Sequence, residues 1–466
     1  MHRLPAGALA VAALALAACS STPQPTATVS PSPSASATAS APAATPSASP
    51  AAATDWFQYH GNEARTGTAS GLPAAGRLSV AWSRPLGGTV AGQPLVIGTT
   101  VIAATELDDV YGLDRSTGAV LWKTRVGTPI PIGDQPCGNL NPLGITSTPV
   151  YDPQTKLVYV VAQNGRTGHL LAGLTLSGRI AVRSEVPAPD HEPFYDQQRG
   201  ALALTNGRVY VVFGGHYGDC GPYVGTVVGM PAAGTGRIVD YVVPTAKQGG
   251  IWGSGGPVVG PDGTIYVSVG NGATASTHFD GSDSVTALSP QLKRTGIFAP
   301  ADWRMLSDDD LDLGSMSPAL LSDGQILQVG KSGVGYLLSA AHLGGVGGQL
   351  AQGPVCAAFG GAAVSGTMVY VPCYPAGLAA VDTAGNAVRV RWRGPSAAWG
   401  SPVLGGGAVW VADWNSGTLY ELSPATGAVR HRIGLGGSLP HFVSPALSGN
   451  LALVGTLTGV TAIAGV

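Results

Sequence analysis

The sequence predicts an all-β protein: an eight-bladed β-propeller of four-stranded antiparallel blades, closed by an N-terminal strand that completes the last blade. Three observations predict it. One phrase recurs, as LDRSTGAVLW at residues 113–122 and as LSPATGAVRH at 422–431. A hairpin-like pattern alternates with that phrase along the chain. The last unit is one strand short, and the start of the folded part supplies a strand to spare.

The N-terminus reads as a targeting signal. His2 and Arg3 precede an apolar run, Leu9 to Ala18, that is too short to span a bilayer as a mature helix. It ends in Leu16-Ala17-Ala18-Cys19, followed by Ser20 and Ser21, which resembles the bacterial lipobox. The resemblance implies a signal peptide over 1–18, lipidation of Cys19, and an extracytoplasmic protein held to the cell membrane by its lipid alone. Residues 20–54 contain only Ser, Thr, Pro, Ala, Gln and Val. Such a segment cannot bury enough apolar surface to order itself. Residues 19–54 are therefore expected to be a tether, spanning roughly 30 Å if flexible and up to about 100 Å if polyproline-like.

The folded part is expected over 55–466. Its hairpins share one grammar: an apolar strand, a Gly, Asn or Asp turn, then a strand rich in Val, Ile, Tyr and Leu. PLVIGTTVIAAT (94–105) begins the series, and LALTNGRVYVVFG (202–214), PVVGPDGTIYVSV (257–269) and PALSGNLALVG (445–455) continue it, making eight. Between them run the Thr-Gly phrase and its degenerate cousins, among them LAAVDTAGNAVRVRW (378–392). Gly accepts the φ > 0 that such a tight turn demands. Each unit thus holds four short strands. The final one, ending in GVTAIAGV, lacks its fourth, and RLSVAWSRPL (77–86) stands ready to fill it. A closed ring protects strand edges and joins the termini.

Composition excludes some functions. The chain has 466 residues, a formal net charge of −2 and no Lys/Arg-rich run, so it offers nucleic acid no electrostatic footprint. The protein is expected to be a monomer. Beyond Cys19, four cysteines remain, an even count that reads as disulfides in an oxidising compartment. Cys356 and Cys373 fall in segments read as paired strands, so they are expected to pair. Cys137 and Cys220 then follow by elimination.

The pattern Leu-Asp-x-x-Thr-Gly-x-x-x-Trp at 113–122 resembles the tryptophan-docking repeat of the quinoprotein propellers, in which the Trp packs between adjacent blades. Trp122, Trp392 and Trp82 stand where that Trp is expected, while Ala181, Tyr241 and His431 lie near the place in other repeats. The central segment, GGIWGSGGPVVGPDGTIYVSVGNG (249–272) through DDDLDLGSMSPALLSDGQILQVGKSG (308–333), resembles the central blades of dehydrogenases that use pyrroloquinoline quinone, including the polyvinyl-alcohol type. The resemblance implies that Trp252 stacks on the quinone, Asn271 ligates calcium, Asp310 is the general base and a metal ligand, and Lys331 lies beside the reactive carbonyl. Those residue types suit the chemistry: a carboxylate accepts a proton, a hard cation polarises a carbonyl, and an ammonium stabilises developing charge.

The sequence departs from that family in three places. Where its dehydrogenases carry a Glu calcium ligand, GGHYGDCGPYVG (214–225) offers His216 and Asp219. No two cysteines adjoin, and no Cys-x-x-Cys-His haem motif occurs. Gly330-Lys331-Ser332 lacks the first Gly of a phosphate loop, and Asp308-x-Asp310-x-Asp312 lacks the Gly and Glu of a calcium loop. His60, His191, His216 and His441 read as loop residues. The balance favours a cell-envelope lipoprotein whose propeller face binds a protein or small ligand, similar to the scaffold lipoprotein of outer-membrane protein assembly. The alternative is a calcium- and pyrroloquinoline-quinone-dependent alcohol dehydrogenase.

Overall fold

The computed structural model describes residues 55–189, 192–272 and 277–466. The expected signal peptide, Cys19, the tether and His191 lie outside the described residues. Eight antiparallel meanders follow one another in sequence, as expected. Blade 1 comprises Leu95–Ile97, Thr100–Ala104, Asp109–Asp114 and Val120–Arg125. Blades 2 to 8 begin at Val150–Asp152, Ala203–Thr205, Val258–Val259, Ala319–Leu320, Ala363–Ser365, Val403–Gly405 and Ala446–Ser448. First strands of neighbouring blades touch, which places them around the axis. Two additions were not legible: Gly345–Val346 pairs in parallel with the outer strand of blade 4, and Asp196–Gln197 extends blade 3.

The ring closes as the sequence requires. Ser79–Pro85 pairs with Gly459–Ala464, from Ser79 opposite Ala464 to Pro85 opposite Gly459. It becomes the outermost strand of blade 8.

The core lies between blades rather than within one layer. One apolar cluster joins blade 1 to blade 2, through Ile102, Val110, Val158 and Leu174; another joins blades 4 and 5, through Tyr266, Phe298, Ile326 and Leu338. Second and third strands face a neighbour on both sides, so Ile265–Val269 and Ser284–Leu288 are buried at every position. Outer strands face solvent with alternate residues, and Ile180–Val186 accordingly alternates.

The recurring phrase is the joint between blades. Trp122, on the outer strand of blade 1, packs on Gly178 in the corresponding turn of blade 2, and its Nε1 donates to the Leu176 carbonyl at 2.7 Å. Trp82 meets Gly118 and donates to the Arg115 carbonyl at 2.9 Å. Trp392 meets Gly427 and donates to the Pro424 carbonyl at 2.9 Å. In blade 2 the docking position belongs to Val182, packed on Gly234, rather than to the neighbouring Ala181. In blade 3 strand register gives it to Val239, opposite Gly229, rather than to Tyr241.

Residues 55–69 form an inner brace that period-2 patterning could not reveal. Trp56 exchanges backbone bonds with Val96 of blade 1, and the Phe57, Glu63, Thr66 and Gly67 carbonyls accept from Tyr151, Val259, Val364 and Leu404 of blades 2, 4, 6 and 7. These bonds satisfy first-strand edges that would otherwise be unpaired. Arg65, 4% exposed, donates to the Leu202 and Pro257 carbonyls at 2.7 and 3.2 Å. His60 lies in a turn, as expected, but is fully buried: its Nε2 lies 3.1 Å from Ser444 Oγ, and burial pushes its pKa down to about 3.

Strand alternation fixes two faces. Loops from second to third strands, and connections between blades, share one face; the remaining hairpin turns, including the Thr-Gly turns, share the other. Asp55, which accepts from the Gly98 amide at 2.7 Å, enters at the hairpin face.

Gly178 (φ +83°) and Gly98 (φ +58°) separate backbone strain from docking. A Cβ on Gly178 would lie 2.6 Å from the Trp122 ring, whereas one on Gly98 meets nothing within 4 Å. Both Ala substitutions carry the left-handed penalty, and only Gly178→Ala displaces a Trp. Denaturant unfolding is expected to show Gly178→Ala less stable than Gly98→Ala by about 1–3 kcal/mol.

Candidate functional site

The central segment supplies its residues from adjoining loops on one face. Trp252 lies in the connection between blades 3 and 4. Asn271 lies between the second and third strands of blade 4, and Lys331 in the same turn of blade 5. Asp310 and Asp312 follow a short helix, Trp303–Asp308, in the connection from blade 4 to blade 5.

These residues converge, and Asp312 is their hub. Its side chain is 3% exposed. Asp312 Oδ1 accepts from the Asn271 amide at 2.8 Å and from Trp252 Nε1 at 3.4 Å. Its Oδ2 lies 2.5 Å from Lys331 Nζ. Lys331 Nζ also donates to Asp310 Oδ1 at 2.8 Å and sits 5.8 Å from the Trp252 ring centroid. Asp310 is 68% exposed, at the rim (φ +54°). The Asp-Leu-Asp spacing gives no sign that Asp312, rather than Asp310, points inward.

Glycines make room for the hub. A Cβ on Gly270 would fall 2.0 Å from Asp312 Oδ1, and one on Gly330 would fall 2.4 Å from the Asp312 carbonyl. Burial pushes the Asp312 carboxyl up while Lys331 opposes the shift. Burial also works against the Lys331 charge, but Asp312 and Asp310 outweigh it and hold the ammonium above its ordinary pKa.

Aromatic rings surround the cluster. Phe359 and Phe442 stand 6.3 and 6.4 Å from Trp252, with their own planes 14° apart. Arg199 lies 5.5 Å from the Phe442 ring and lines an adjoining axial cavity with Tyr59, Thr146 and Ser254. Among the described residues Arg199 forms no ion pair at contact distance; Glu106 is the carboxylate that acts on its charge, and the Tyr59 hydroxyl faces Ser254, Ser401 and Ser444. Nothing in Gln198-Arg199-Gly200 marked this cation in advance.

The positions that replace the family's Glu are already engaged. The Tyr223 hydroxyl donates to Asp219 Oδ1 at 2.6 Å, and His216 Nε2 lies 3.2 Å from the Phe194 carbonyl. Both expected disulfides form, Cys137–Cys220 and Cys356–Cys373, with Cα separations of 6.1 and 5.6 Å. Cys356 sits in the connection leaving blade 5 rather than in a strand, so this bridge ties that connection to blade 6.

The residues fit part of the expected cofactor chemistry. An aromatic face, a Lys and an Arg suit a planar anionic ring. For the calcium, no group of three His, Cys, Asp or Glu side chains comes together among the described residues. Lys331 already stands between the two nearest carboxylates.

Residues 73–291 match the family described as outer membrane protein assembly factor BamB. Polyvinylalcohol dehydrogenase of a Pseudomonas species is 23% identical over 245 residues, 47% of this chain. That match spans 35% of the relative's own length. The quinohemoprotein alcohol dehydrogenase of Comamonas testosteroni superposes with a TM-score of 0.64 at 15% identity, covering 88% of this chain and 80% of that one. The fold is that of the quinoprotein-type propellers. BamB of Moraxella catarrhalis shares it, with a TM-score of 0.55 at 15% identity, over 84% of this chain and 100% of its own. Dehydrogenases and an assembly factor thus stand among the structural neighbours of this propeller.

Asp283 supports the site from below. Its Oδ2 accepts from Ser307 Oγ at 2.7 Å, its Oδ1 accepts from the Leu313 amide at 2.8 Å, and burial raises its pKa to about 7. The folded state therefore binds a proton that the unfolded state releases near pH 4, so this contribution to stability falls as pH rises from about 4 to about 7. Asp283→Asn is expected to flatten that part of the stability profile, measured by denaturant unfolding from pH 4.5 to 8. An unchanged slope contradicts the assignment.

Proposed function

We propose that this face binds a planar, anionic quinone of the pyrroloquinoline class on Trp252, and that the protein oxidises alcohols. The reading is supported above all by the charge arrangement around that ring: the buried Asp312–Lys331 pair beside it and Arg199 over the neighbouring Phe442 ring. A bound quinone supplies the two-electron acceptor. Trp252 holds the ring plane, and Arg199 and Lys331 meet its negative charge. Asp312, whose burial makes it a better base than an exposed carboxylate, takes the hydroxyl proton of the alcohol. Asp310 at the rim balances the Lys331 charge. The polyvinylalcohol dehydrogenase relative favours an alcohol substrate. The expected Cys19 anchor would place this chemistry outside the cytoplasm, on a face opposite the one where the tether enters.

A second reading, an interaction scaffold, draws support from the match to the assembly-factor family. One titration separates the two. Purified protein is mixed with pyrroloquinoline quinone, with and without Ca²⁺, while Trp fluorescence and dye-linked alcohol oxidation are followed. Saturable quenching is expected, with affinity falling at least about tenfold in Trp252→Ala and Arg199→Gln. Asp312→Asn is expected to keep binding and lose turnover. No binding at near-millimolar quinone removes the dehydrogenase and leaves the scaffold.

A further inference from the structure

The site face is divided into two sectors of different chemistry. From blade 2 to the 330–333 turn of blade 5, its loops carry Arg199, Asp219, Lys247, Asp280, Asp308 and Lys331, among other charges. From the connection leaving blade 5 round to blade 1 the charges stop. Segments 355–362, 374–376, 394–402, 414–417, 435–445, 456–458 and 86–94 contain no Lys, Arg, Asp or Glu. Their one titratable side chain besides Tyr374 and the disulfide-bonded Cys356 is His441, whose pKa burial pushes down, so it is neutral at neutral pH.

This neutral sector carries a continuous run of rings. From Trp252 the path passes to Phe442 at 6.4 Å, to Trp414 at 5.8 Å, to Tyr374 at 6.0 Å and to Trp399 at 4.9 Å. Phe359 flanks it, 6.1 Å from Tyr374. Trp414 is buried beneath the others, while Tyr374 is 46% exposed and Trp399, Phe359 and Phe442 are partly exposed. Phe442 is held at φ +63°, a left-handed backbone that a bulky residue adopts only where its surroundings impose it. Asn415 and Ser416 of the 414–417 turn border the run with polar groups. A contiguous exposed aromatic surface marks a binding site, and an uncharged one selects an uncharged partner.

We propose that this aromatic run is a subsite for a neutral glycan chain. Sugar rings present apolar C–H faces to aromatic planes and hydroxyls to the polar border, and beyond Lys331 and Arg199 at the Trp252–Phe442 end a neutral chain meets no charge carried by this sector's own loops. The run begins at Trp252, so a chain lying along it delivers one end to the site proposed above. The glycan assignment deepens that reading but does not need the quinone to bind.

Cellohexaose and maltohexaose serve as probes, with polyvinyl alcohol and an alginate oligomer as comparisons, titrated by calorimetry into the full protein without quinone. At least one neutral hexaose is expected to bind. Trp399→Ala and Tyr374→Ala, both exposed enough to leave the core intact, are each expected to weaken it about three- to tenfold. Leu121→Ala, exposed on the outer strand of blade 1, is expected to leave it unchanged. Binding of neither hexaose, equal or tighter binding of alginate, binding of polyvinyl alcohol alone, or unaltered affinity in both aromatic variants overturns the proposal. Quinone binding without glycan binding sinks the glycan subsite alone. Glycan binding without quinone binding sinks the dehydrogenase alone.

Discussion

The pairing of Ser79–Pro85 with Gly459–Ala464 is the constraint on which the rest of the structure depends. A propeller buries its apolar surface between blades, so each blade is stable only with a neighbour on both sides. Without that pairing, blade 8 would have three strands and an unsatisfied edge. Blades 1 and 8 would then lose the Trp82–Gly118 joint between them. The first strand of the ring therefore completes the last sheet and also docks it to the first.

Closure has a consequence for function. Loops from blades far apart in sequence are brought to one face around one axis. Asp312 meets Trp252 across sixty residues and Lys331 across nineteen, while Phe442 arrives from the other end of the chain to stand beside Trp252. Residues 55–69 brace the first strands around the same axis, with Arg65 and His60 buried among their backbones and Tyr59 lining the cavity beside the site. Ligand access is consequently from the loop face, where the charged sector and the neutral aromatic sector share a boundary at Trp252. The glycine-lined niche at Asp312 shows how closely the loops approach there: three chain segments pass near enough that a single methyl group would collide.

Repetition made the fold legible. Eight hairpins with Gly, Asn or Asp turns and the recurring Thr-Gly-to-Trp spacing specify strand number, and the surplus strand at 77–86 specifies closure. What escaped notice lacks periodicity. Residues 55–69 bind first strands largely through backbone atoms, and the side chains that help, such as Arg65 and His60, follow no period. The site was legible as a set of loops and not as a set of roles. Trp252, Asn271 and Lys331 could be picked out, but Asp310 and Asp312 look equivalent in sequence and differ only in which one the Gly270 and Gly330 backbones admit. Arg199 and the aromatic run escaped for another reason: their significance lies in what does not surround them, which is visible only once neighbours are known.

Native-state hydrogen exchange tests the central claim most directly. If closure governs the ring, the hydrogen-bonded amides of residues 79–84 and 459–464 exchange only through global unfolding, with the same free energy as the central strands of blades 3 to 6. If those amides open at much lower free energy while blades 3 to 6 stay protected, the closing strand is an accessory and the account is wrong.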